Sequence, residues 1–158
     1  MGKPRRTSEH ERDETPSEHA DRNFAELVQE LRVAQTGVQI LFAFLLTLAF
    51  YESFPREDRV FACVLAGTLL AAACSALCFM APVAAHRLTF RLGGKERLVW
   101  VTHRLALAGL VLLAMAMLAS IWMVLALLFT WATASAAVAA LAFLVLALWV
   151  IVPLRMRR

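Results

Sequence analysis

Arg32, Gln35, Thr36 and Gln39 crowd the start of the first long apolar run of this chain, and Thr47 lies near its end. Wound at ~100° per residue, Arg32, Thr36, Gln39 and Thr47 share one helix face with Gln29. An amide such as Gln39 inside hydrocarbon needs a hydrogen-bond partner, because lipid offers none. Two chemistries supply one: interhelical hydrogen bonds that hold a bundle together, or a polar lining for a water or ion path. A second cluster is basic. The triplet His-Arg-Leu occurs at 86–88 and again at 103–105, so His86, Arg87, His103 and Arg104 flank a turn marked by Gly93-Gly94. These residues suit contact with lipid phosphates, and the two histidines are also candidates for a pH-sensing pair. No Gly-rich phosphate loop, no pair of catalytic carboxylates and no nucleophile beside a base is present in the sequence. The chain is read as a non-enzyme that needs no cofactor and no metal.

The elements that position these residues are set by hydropathy. Residues 105–154 carry no charged side chain. That run is about twice the ~20 apolar residues of one membrane crossing. Hydrophobic residues make up 61% of the chain and the mean hydropathy is +0.67, where a soluble domain holds ~45–50% apolar residues. The patterning predicts an all-α, four-helix membrane bundle over residues 23–158, with spans at 33–50, 60–85, 105–129 and 134–154. Residues 1–22 mix both charges, hold almost no large apolar side chain, and read as a disordered tail. Asn23 with Glu26 fits a capping box that opens the first helix. Pro55 suits the first position of the second helix, with Glu57 and Asp58 in its first turn, and Pro82 suits a kink at that helix's far end. Tyr51 and Phe54 fit a membrane interface, as do Trp100, Trp131 and Trp149, while Trp122 lies deeper. Thr130, Trp131, Thr133 and Ser135 mark the last hairpin. No short apolar segment with a cleavage site precedes the first span, so no signal peptide is expected.

Gly67, Ala71 and Ser75 form a small-xxx-small ladder, the spacing that lets helix backbones approach closely in lipid. Cys63, Cys74 and Cys78 read as small hydrophobic packing residues. The net charge is +4, with basic residues gathered at span ends rather than in a nucleic-acid stripe. The tail, the 86–104 connection and the chain end hold most of the Lys and Arg, which predicts both termini in the cytoplasm. The expected partners are the bilayer and its anionic lipids, together with a second copy or another membrane protein, and no nucleic acid.

The stretch ELRVAQTGVQILFAFLLTL, Glu30 to Leu48, resembles the opening signature of an uncharacterised family of small actinobacterial four-span membrane proteins. Ala81-Pro82-Val83-Ala84-Ala85-His86-Arg87-Leu88 is similar to that family's second landmark. The resemblance covers the chain from about Asn23 to the third span, and it implies a bacterial inner-membrane setting. Members of such families sometimes bear a sodium:proton antiporter label. Coupled exchange uses an intramembrane carboxylate, and the four expected spans contain no Asp or Glu. The expected role is an oligomeric structural, regulatory or accessory subunit. The alternative is a homo-oligomeric channel or transporter lined by the polar face of the first span.

Overall fold

The structure, a computed structural model, describes residues 16–89 and 95–156. Helix α1 runs Pro16–Phe50, α2 Arg59–Thr89, α3 Lys95–Leu128 and α4 Trp131–Leu146. A π turn, Ala147–Ile151, leads into the short α5, Val152–Met156. Four segments are long and apolar enough to cross a bilayer: Val28–Phe50, Arg59–Ala85, Val101–Leu128 and Trp131–Ile151. The protein is an all-α, multi-pass membrane protein. Four crossings bring both ends of the chain to one side, here called the basic end; the α1–α2 loop and the α3–α4 turn form the hairpin end.

Helix α1 begins at Pro16 rather than at the Asn23 cap expected from the sequence. Proline is at home in a first helical turn, and no glycine or second proline follows before Gly37. Residues 16–27 therefore carry the helix past the membrane by ~18 Å at 1.5 Å per residue. The part of the tail before Pro16 and the Gly93-Gly94 turn lie outside the described residues. At the hairpin end α2 starts at Arg59, so Pro55 is not its first residue. Asp58 caps it instead: its carboxylate accepts from Val60 N at 2.8 Å, and its carbonyl accepts from Ala62 N at 3.0 Å. Thr130 caps α4 in the same way, accepting from Thr133 N at 3.4 Å, which closes a tight turn without glycine or proline.

The buried residues of α2 are Phe61, Leu65, Thr68, Ala72, Ser75, Phe79 and Pro82, in alternating steps of four and three. Helix α3 answers with Thr102, Ala106, Gly109, Ala116, Ser120 and Met123, and α1 with Leu31, Val38 and Leu45. A 3.5-residue repeat is the seam of a left-handed helix bundle. The α2–α3 seam is lined by small residues, so contact there is backbone-close. Ser75 Oγ donates to the Gly109 carbonyl at 2.7 Å across it.

At the hairpin end Phe61 gathers three elements. Its ring centroid lies 6.1 Å from Phe54 of the loop, 6.0 Å from Trp122 of α3 and 6.3 Å from Trp131 of α4. Phe54 is buried under this cluster instead of facing the interface; Tyr51 is exposed. Trp122 Nε1 donates to Ser135 Oγ at 3.1 Å, which ties α3 to α4. Beyond Ala134, α4 has no buried residue in its length, so nearly its whole circumference faces the surroundings. Near its end Pro153 has no N–H to donate. The helix widens into the π turn just before it, with Val152 N bonded to the Ala147 carbonyl.

Candidate functional site

The polar face of α1 is set by the position of its apolar ridge. Leu31, Val38 and Leu45 are buried, with Ala34, Leu41 and Leu48 packed beside them against the rest of the bundle. At ~100° per residue Arg32, Thr36, Gln39 and Thr47 fall on the other side of the helix, while Gln35 borders the buried Leu31 and Val38. Arg32, Thr36, Gln39 and Thr47 are exposed and Gln35 is half-buried. The two hydroxyls are satisfied within the helix: Thr36 Oγ1 donates to the Arg32 carbonyl at 3.1 Å and Thr47 Oγ1 to the Ala43 carbonyl at 3.0 Å. Gln39 is different. Its amide has no hydrogen-bond partner among the described residues, and it sits midway along the Val28–Phe50 span. The interhelical bond expected inside one bundle is thus not made by Gln39, which points away from α2 and α3.

At the basic end His103 and Arg104 are exposed on α3. The side chains of His86 and Arg87 lie outside the described residues. Among the described residues no three of His, Cys, Asp or Glu come together as a metal site would require.

The model of a family of unknown function (DUF6328) matches residues 13–153. The chain belongs to that family. No curated protein and no solved structure matches it.

In this DUF6328 chain the small-residue ladder is divided. Ser75 lies in the α2–α3 seam and Ala71 beside it, but Gly67 is exposed with open space where a Cβ would stand. The close approach is made by Gly109, where a Cβ would meet the Phe79 ring at 2.5 Å. Cys63 and Cys74 are exposed and Cys78 is half-buried, so within one copy only Cys78 packs, in part, as the small hydrophobe read from the sequence. Sequence reading missed Gly109, Phe79 and Thr102. The available signal was the 3.5-residue spacing of small residues, Thr68–Ala72–Ser75, one position out of phase with Gly67–Ala71.

Thr102 is buried, and its Oγ1 has no hydrogen-bond partner. The antiparallel register set by Ser75 and Gly109 places Pro82 one heptad further along α2, at the level of Thr102. Proline leaves the Cys78 carbonyl without its helical donor. Thr102→Val removes the buried unpaired hydroxyl at nearly constant shape. We expect it to stabilise the folded protein by about 1 kcal/mol, read as a higher midpoint in detergent unfolding. A lower midpoint would mean that the hydroxyl is paired in solution.

Proposed function

We propose that the protein is a non-enzymatic, homo-oligomeric membrane subunit with a structural, regulatory or accessory role, and that copies meet through the polar face of α1. The observation that carries this reading is the unpartnered Gln39 amide, turned outward midway along its span. An unsatisfied polar group in lipid costs several kcal/mol, and the side chain most able to satisfy Gln39 in a symmetric assembly is Gln39 of another copy. Interhelical amide pairs of this kind are worth ~0.6–2 kcal/mol each. The Lys and Arg at the basic end favour both termini in the cytoplasm of a bacterial inner membrane, with anionic lipid around them. A second reading has support in the same geometry. Arg32, Gln35, Thr36, Gln39 and Thr47 extend along ~22 Å of helix, long enough to line a water or ion path at the centre of an oligomer.

The test is Gln39→Leu in the full chain. Light scattering in detergent gives an oligomer for the wild type. The variant needs a roughly three- to thirtyfold higher concentration to assemble, the equilibrium weight of one such bond. A wild type that stays monomeric at every concentration overturns the proposal. Cation flux in liposomes separates the two readings: equal flux for both proteins removes the pore, and a change confined to the variant supports it.

A further inference from the structure

The surface between α3 and α4 holds a second feature, independent of α1. The two helices are in contact at the hairpin end, where small residues dominate α4 and Ala134 is buried. Larger side chains follow along α4, and towards the basic end the helices flank an apolar cleft of about 290 Å³ that is open on one side. Its walls include Leu110, Met117 and Ile121 of α3, Leu141 and Val145 of α4, and Trp149 of the π turn. Water is a poor occupant. A bound water needs two to four polar partners, and this lining is apolar throughout.

The shape selects among apolar occupants. Leu110 to Ile121 is ~16 Å of helix at 1.5 Å per residue, about half of a ~30 Å hydrocarbon core. The cleft is open to the surroundings along one side, so an acyl chain of the bilayer can lie along it. The basic mouth carries the complementary charge. His103 continues the Leu110–Met117 stripe by one heptad, and both it and Arg155 of α5, beyond Trp149, are exposed. Trp149 itself lies two residues from the end of its span, the depth at which tryptophan meets head groups.

We infer that the α3–α4 cleft is a binding site for an anionic glycerophospholipid, with one acyl chain between the helices and the phosphate at the His103–Arg155 end. The juxtaposition makes the bound lipid part of the structure: it fills the space that α4 leaves beside α3.

Native mass spectrometry of the full chain tests this directly, with phosphatidylglycerol and phosphatidylcholine added to the delipidated protein in detergent. The wild type retains one phosphatidylglycerol per protomer, about fivefold in preference to phosphatidylcholine, the weight of one basic residue at an anionic surface. Ala114→Trp, at a further residue of the α3 wall, fills the cleft and loses retention of both lipids. Arg155→Gln keeps a chain but loses the preference. Val145→Phe serves as a second cleft-filling variant, read alongside helix content by circular dichroism, so that failed folding of one variant does not decide the result. Equal retention by the wild type and a folded cleft-filling variant overturns the inference. So does indifference of the wild type to the head group, or a change of oligomer size in the filled variants with lipid retention intact.

Discussion

Gly109→Ala, a single added methyl, lowers the stability of the membrane domain by about 1–3 kcal/mol, the range of an overpacked core. The added carbon would stand 2.5 Å from Phe79 Cε1, 2.8 Å from Cδ1 and 3.1 Å from Cζ. The Phe79 ring is itself fully buried in the α2–α3 seam and has no free volume to enter. Separating the helices would also stretch the 2.7 Å bond from Ser75 Oγ to the Gly109 carbonyl. Relief should come from the partner side. In the Gly109→Ala background, Phe79→Leu makes room for the methyl, so the double variant is more stable than the sum of the two single losses by at least ~0.5 kcal/mol. Unfolding in mixed micelles, followed by circular dichroism, measures all four proteins. A Gly109→Ala protein as stable as the wild type would show that the helices do not approach closely there.

Phe61→Ala should cost about 3 kcal/mol or more, the low end for a buried phenylalanine. The side chain fills the junction of the α1–α2 loop, α3 and α4, with ring contacts to Phe54, Trp122 and Trp131. In lipid the loss is chiefly packing rather than apolar transfer, because the tails are as apolar as the core. Phe61→Leu keeps most of the volume but loses the ring contacts, worth ~0.5–1.5 kcal/mol per pair, and should fall between the two. The expected signature is specific to α4. Its hold on the bundle lies at this end, through Ala134, Trp131 and the Trp122–Ser135 bond. Tryptophan emission should therefore shift on the Ala substitution well below the denaturant level that melts α2 and α3. Coincident transitions for fluorescence and helix content would show that α4 is held elsewhere along its length.

Hydropathy located all four spans, and the places where it failed share a cause. The first helix starts early because nothing between Pro16 and Asn23 breaks it; polarity alone made that stretch look unfolded. Asp58 rather than Pro55 marks the start of α2 because its carboxylate can reach Val60 N, a choice of turn geometry that composition leaves open. The polar stripe of α1 was readable residue by residue at helical spacing. Its direction was not, since interhelical bonding and pore lining ask for the same residues.

The amino-acid sequence by itself determined the solvent of this protein, the number of its crossings and the residues unable to rest in lipid. Those follow from the cost of polar groups in hydrocarbon, which is summed along the chain and needs no contacts. Only the tertiary structure decided which face of each helix meets another. In a bilayer the outer and inner faces of a helix are equally apolar, so packing is chosen by shape. That choice put Gly109 rather than Gly67 in the seam, turned Gln39 outward, and left an apolar cleft between α3 and α4 towards the basic end.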